Sequence, residues 1–236
     1  YIGRKLLDAA LSLGLKVYVC DPGRRPDDVD HHSVDVVADA ETFYRLDVDL
    51  FHLAMHPQHR DLALEILLRR AGAKPVLILN EKPMASPQRP QDCDDLIGKI
   101  SNSRAVMLFD FPELFDPMTQ RILTYLRSFD RLEIATIETQ RSKDREDPGN
   151  RRNYKEMVHI QYQESVHCIA FVLNLLGQLE GSVDAAFAQG LSIAATAWRY
   201  SPPNPEVYPF VVDGRCRWQM ASGEVTIRGL TDFTKG

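Results

Sequence analysis

Strand-length apolar runs alternate with helix-length amphipathic segments through the first half of this chain, and that rhythm limits the fold more than any other feature. Between Gly3 and Gly14 the residues Leu6, Leu7, Ala10, Leu11 and Leu13 recur at helical spacing, and Gly14 is a natural stop. The run Val17–Cys20 is short, β-branched and closed by Asp21–Pro22–Gly23, so it reads as a buried strand. Val34–Ala38, Val48–Ala54, Pro75–Leu79 and Ala105–Phe111 share that character, with helices expected over His59–Ala71 and Pro87–Ser101. Such alternation implies an α/β fold, a parallel sheet covered on both faces.

After Phe111 the rhythm changes. A helix is expected over Asp116–Phe129, a half-polar strand over Leu132–Thr139, and a loop over the polar Gln140–Asn153. Val166–Leu176 is strongly apolar and reads as a helix capped by Gly177. Beyond it, Val183–Ala188, Leu191–Trp198, Val207–Val212, Arg215–Met220 and Glu224–Arg228 alternate apolar with polar residues. That suits an open, mainly antiparallel sheet with one covered face. The reading is two domains, residues 1–111 and 112–236, the second of α+β type.

Composition narrows the function classes. With 236 residues, 44% of them apolar and 26% charged, the chain can bury a core without staples. A net charge of −5, with basic pairs scattered among acids, gives no footprint for nucleic acid or an anionic membrane. Cys20, Cys93, Cys168 and Cys216 lie far apart, which argues against a disulfide framework and for a reducing, cytoplasmic setting. No apolar run approaches the ~20 residues that span a bilayer. His52, His56 and His59 pass from strand through loop to helix, and no carboxylate or thiolate completes a metal site; none is expected.

Open parallel sheets bind ligands at the carboxyl ends of their strands, where a helix N-terminus can hold a phosphate. Gly3, at the first helix start, would let a pyrophosphate approach. The strand and two glycines that complete a dinucleotide turn would lie upstream of Tyr1, so the chain is expected to lack its first strand. Asp21 ends the next strand, eighteen residues after Gly3. A carboxylate there accepts both ribose hydroxyls of NAD and repels a 2′-phosphate; the equal alternative is a turn residue before Pro22. Arg24 and Arg25 keep NADP open. Lys82, in Asn80–Glu81–Lys82–Pro83, follows a strand and sits where a ligand would bind. Partial desolvation there favours a neutral amine able to exchange a proton with a substrate hydroxyl. The plainer alternative is an exposed lysine in a strand–helix turn.

The stretch from Asp49 to His59, the helix after it, and Val76–Ala85 with its Glu81–Lys82–Pro83 resemble the Gfo/Idh/MocA family, named for glucose–fructose oxidoreductase, inositol dehydrogenase and a rhizopine-catabolism protein. That family has a strand ending in a Thr-Pro-type loop, a helix opening with His, and a strand ending in Glu-Lys-Pro. Phe115–Asp116–Pro117 is similar to the Arg-Phe-x-Pro that starts its second domain, and Tyr1–Ile2–Gly3–Arg4 to the tail of its Gly-x-Gly-x-x-Gly turn. The resemblance covers nearly the whole chain in order.

The resemblance implies a Rossmann-type NAD(P)-binding domain, then an α+β domain whose open sheet shapes a substrate site and an interface of a homo-oligomer. It places Lys82 by the nicotinamide and the reacting hydroxyl, admits a cis Lys82–Pro83 bond, and runs Met55, His56 and His59 beside the cofactor. Ile2, Gly3, Asp21 and Glu81 complete the implied cofactor contacts. His167 matches the histidine of the family's Asp-x-x-x-His, a proton carrier beside the lysine. The position four before it is Gln163, which accepts no proton. Either Glu164, one residue later, substitutes, or the acid is absent. Ala170 stands where the family often has another acid.

The expected activity is hydride transfer between NAD, or NADP, and a hydroxyl-bearing carbon of a sugar, cyclitol or related polyol. Two other classes stay open on the same resemblance: a glycosidase that uses bound NAD transiently, and a non-catalytic dinucleotide-binding regulator. Gln163 and Ala170 favour the regulator.

Overall fold

The computed structural model describes residues 2–21, 34–55, 57–86, 89, 91–142, 164–181, 191–199 and 213–232. The chain divides into two compact units, Tyr1–Asp110 and Phe111–Gly236.

The first unit runs α1 (Ile2–Ser12), β1 (Val17–Val19), β2 (Val34–Val36), α2 (Ala40–Arg45), β3 (Phe51–Leu53), α3 (Asp61–Ala71), β4 (Val76–Asn80), α4 (Asp92–Ser101) and β5 (Ala105–Phe109). Every strand pair is parallel, but among the described residues they form two sheets, β1-β2 and β3-β4-β5. In a doubly wound sheet of order 3-2-1-4-5-6 the first strand lies between two such sets. Gly14, two residues past α1, takes φ 70°, as a helix-ending glycine should.

The core lies between α3 and the three-stranded sheet. Leu53, Leu67, Ala71 and Ile78 are fully buried there, because α3 turns its Ala63–Leu64–Leu67–Leu68–Ala71 face toward the strands. The short helix α2 was not expected. It starts because Asp39 accepts a hydrogen bond from the Thr42 N–H at 2.8 Å, and it packs Phe43 edge-on against both Tyr44 and Phe51. The sheet is not covered throughout: Val106 and Leu108 of β5 are about half exposed.

The second unit runs α5 (Pro117–Leu126), β6 (Thr136–Ser142), α6 (Val166–Glu180), β7 (Leu191–Arg199), β8 (Asp213–Ser222) and β9 (Val225–Asp232). Its sheet has the order β6-β9-β8-β7; β6 pairs parallel with β9, and the other two pairings are antiparallel. Val172 and Leu176 of α6 pack on Trp218, Met220 and Ile227 of the sheet. The segments 183–188 and 207–212 lie outside the described residues.

Two expectations are corrected in this unit. The strand expected over Leu132–Thr139 begins at Thr136 and continues through Gln140–Ser142, which the polar pattern marked as loop. Pairing with β9 as far as Asp232 supplies backbone partners that override the polar side chains. The apolar helix does not stop at Gly177, which is buried within it; it ends at Gly181, whose φ of 94° is the left-handed cap. Among the described residues no helix is long and apolar enough to cross a membrane.

Trp218 lies directly across the β8–β9 ladder from Gly229, and its indole occupies the space a side chain at 229 would need. A methyl group there would overlap the ring. Gly229→Ala is therefore expected to lower stability by roughly 1–3 kcal/mol, the range for overpacking a core. Urea unfolding checks it, and an unchanged midpoint contradicts this packing.

Candidate active site

The first part of the site lies at the carboxyl ends of β3 and β4. β4 ends in Asn80, which is fully buried with its Nδ2 3.7 Å from the Met107 sulfur and its Oδ1 without a partner among the described residues. Glu81, Lys82 and Pro83 follow, and the Lys82–Pro83 bond is cis, as the resemblance admitted. Lys82 is half-buried. The Glu81 carboxylate lies 3.3 Å from Nε2 of His52, which β3 carries.

Arg60 binds this turn together. Only 2% exposed, it donates from Nε to the Met55 carbonyl at 2.8 Å, from Nη1 to the carbonyls of Glu81 and Pro83 (2.7 Å to the latter), and from Nη2 to that of Lys82 at 3.5 Å. Burial pulls its pKa down to about 10, against the favourable charge of Glu81. A guanidinium kept in the core must find acceptors for its forked donors. Here they are the backbone carbonyls of the two loops that end β3 and β4.

Gly3 meets the same region from α1. A Cβ on it would come 3.2 Å from the Ala54 Cβ, so its smallness serves the approach of helix to strand end, the role of the third glycine in a dinucleotide turn. This close approach is a packing reason for glycine at position 3, beside the pyrophosphate role expected from the sequence. The first turn of α1 has no acidic residue, which fits a phosphate-holding helix start. Asp21 is exposed, two residues beyond β1.

The structure thus brings Met55, Glu81 and Lys82 onto one arginine and sets Gly3 against Ala54. His59 is exposed in the short 3-10 turn Pro57–His59, and α3 begins only at Asp61; Arg60, not a histidine, is the buried residue at the helix start. The side chain of Ile2, His56 and Gln163 lie outside the described residues.

The second unit holds a separate charged cluster. His167, in the first turn of α6 and 8% exposed, places Nδ1 3.0 Å from Oε2 of Glu113. Arg141 of β6 donates from Nη1 to Glu113 Oε1 at 2.8 Å and from Nε to Glu164 Oε2 at 2.7 Å. Glu164 is almost fully buried, so the residue expected to replace the missing acid serves as a partner of Arg141. Ser165 and Thr231 share a buried hydrogen bond of 2.9 Å that ties the start of α6 to β9. Phe111 packs edge-on against the His167 ring.

Burial opposes ionisation of Glu113, yet its own backbone N–H, His167 and Arg141 outweigh that and hold its carboxyl below the ordinary range. Burial likewise opposes the charge of Arg141, and Glu164 and Glu113 outweigh it, raising its pKa. Sequence reasoning missed Arg60, Glu113 and Arg141. Arg60 and Glu113 carry no motif, and Arg141 stood in the supposed loop. Among the described residues no group of three or more His, Cys, Asp or Glu could hold a metal ion.

No known protein-family profile matches the chain, and no curated protein matches it in sequence. Solved structures do match its fold. Myo-inositol dehydrogenase from Lactobacillus casei, in complex with NAD(H) and myo-inositol, gives a TM-score of 0.69 at 14% identity over 99% of this chain and 65% of that one. The WlbA dehydrogenase from Thermus thermophilus, in complex with NAD and α-ketoglutarate, gives 0.65 at 14% identity over 99% and 70%. An oxidoreductase from Bacillus cereus gives 0.66 at 12% identity over 94% and 58%. The chain has an α/β, Rossmann-type fold. It spans little more than half the length of many of the solved chains it matches, 57% of an oxidoreductase from Bacteroides fragilis and 52% of one from Bacillus subtilis.

Two outcomes follow from the site's electrostatics. Arg60→Met leaves four backbone carbonyls short of their donor, and stability should fall by roughly 2–3 kcal/mol in denaturant unfolding; a loss near zero contradicts the hub. Glu113 stabilises the fold by a pKa that folding depresses. Its contribution is complete above the unfolded carboxyl value of about 4.3 and is lost as pH falls through the lower folded value. The stability gap between wild type and Glu113→Gln should be widest at neutral pH and close on acidification. A gap that widens instead contradicts it.

Proposed function

We propose that the protein is an NAD(P)-dependent oxidoreductase that transfers hydride between the nicotinamide and a hydroxyl-bearing carbon of a sugar, cyclitol or related polyol. The observation that carries this reading is the Glu81–Lys82–Pro83 turn, fixed by Arg60 at the carboxyl end of a parallel strand. Ligands of open parallel sheets bind at that edge. The NAD complexes of the two structurally similar dehydrogenases, one with myo-inositol, support the choice of cofactor and of substrate class.

When bound, a nicotinamide supplies the hydride acceptor or donor. The chain's own residues do the rest. Lys82, as the neutral amine, takes the hydroxyl proton as the C–H bond breaks, and returns it in the reverse direction. Arg60 and the His52–Glu81 contact hold the backbone that aims it. Asp21 accepts the adenosine ribose hydroxyls, and the start of α1, free of acids in its first turn, faces the pyrophosphate. On the second unit His167 is the group chemically suited to carry a proton. The working assembly is a homo-oligomer in the cytoplasm.

Lys82→Ala tests this reading against its two competitors. With a polyol panel, turnover followed at the nicotinamide absorbance should fall by about 10²–10⁴-fold, while NAD(H) binding by fluorescence persists. Unaltered turnover in the variant overturns the role of Lys82. Aglycone release without net absorbance change in the wild type would make the protein a glycosidase, and binding without any turnover a regulator.

A further inference from the structure

We propose that Glu113 is the positioning residue that fixes the tautomer of His167 and so makes Nε2 its proton-accepting atom. The inference rests on the proton-carrying role given to His167 above, and it deepens that role.

An ionised carboxylate only accepts hydrogen bonds. Oε1 of Glu113 takes the Arg141 Nη1 donor at 2.8 Å, and Oε2 lies 3.0 Å from His167 Nδ1. The proton of that second contact must therefore sit on Nδ1. A neutral ring protonated at Nδ1 has its lone pair on Nε2. That is the reverse of the tautomer histidine favours in water.

Three features keep Glu113 in place. Its 3-10 turn, Pro112–Leu114, is braced by a hydrogen bond from Thr119 Oγ1 to the Glu113 carbonyl at 2.6 Å. Arg141 is in turn anchored by buried Glu164 at 2.7 Å, which holds the guanidinium against Glu113. The edge-on Phe111 ring, its centroid 5.6 Å from that of His167, limits rotation of the imidazole. A proton taken up at Nε2 leaves the Nδ1–H contact to Glu113 in place, and the carboxylate beside the ring favours the imidazolium that forms.

Glutamine cannot reproduce this arrangement, because Arg141 and His167 contact different oxygens of Glu113 and glutamine puts an NH2 donor in place of one of them. Nitrogen-15 NMR of histidine-labelled full-length protein, without ligand, reads the tautomer directly. The wild type should show the Nδ1-protonated pattern for His167, and Glu113→Gln should lose it. With substrate, Glu113→Gln should lower kcat at least about tenfold with little change in KM, and Glu113→Asp, still a pure acceptor, should recover part of the loss. An Nε2-protonated ring in the wild type overturns the proposal without need of any variant. So does a Glu113→Gln protein with the wild-type pattern and wild-type kcat. If the tautomer shifts as expected but no nicotinamide-linked turnover exists, the positioning role stands and the oxidoreductase reading falls.

Discussion

One buried guanidinium decides what the first unit can do. Arg60 collects the carbonyls of Met55, Glu81, Lys82 and Pro83, which belong to the loops ending two neighbouring parallel strands. Without a cation these carbonyls would converge with no donor, and without the carbonyls a buried cation would be untenable. Each requirement answers the other, and the outcome is a rigid backbone at the edge where open sheets take their ligands. The backbone of Lys82 is held by that arginine. Chemistry built on Lys82 therefore depends on an arginine that need not touch the substrate.

The second unit solves a related problem with side chains instead of backbone. Arg141 stands between two carboxylates, one of which reaches His167. Buried ion pairs gain little net stability over apolar packing, but breaking one by removing a single partner is costly. Such a cluster is a weak reason for the fold to be stable and a strong reason for its members to stay put. The hydrogen bond between Ser165 and Thr231 fixes where α6 begins, and hence where His167 sits relative to Glu113.

Much of the fold was legible because the strands of a parallel sheet write themselves as short apolar runs. Val17–Val19 and Phe51–Leu53 lie within the runs that announced them, shortened at the ends, and Val76–Asn80 is its run shifted by one residue. What failed was local and had physical causes. α2 depends on an Asp39 cap, not on a long apolar stripe. Gln140–Ser142 are strand because β9 offers them partners, a fact no local pattern contains. Gly177 resembles a cap but lies buried inside α6.

The candidate site was half legible. Lys82 stood out by the tripeptide around it, and His167 by its match to the Asp-x-x-x-His of the family the sequence resembles. The residues that hold them did not, since Arg60 looks like one more charged residue before a helix. Glu113 acts across 54 positions of sequence. Contacts of that kind have no spacing to read.

A crystal structure of the protein grown with NADH tests the central claim most directly. The account predicts the nicotinamide ring at the carboxyl ends of β3 and β4, in contact with the Lys82 amine, and the adenosine ribose hydroxyls on Asp21. Dinucleotide bound elsewhere on the surface, or bound there with its ribose turned away from Asp21 and its nicotinamide away from Lys82, would contradict it.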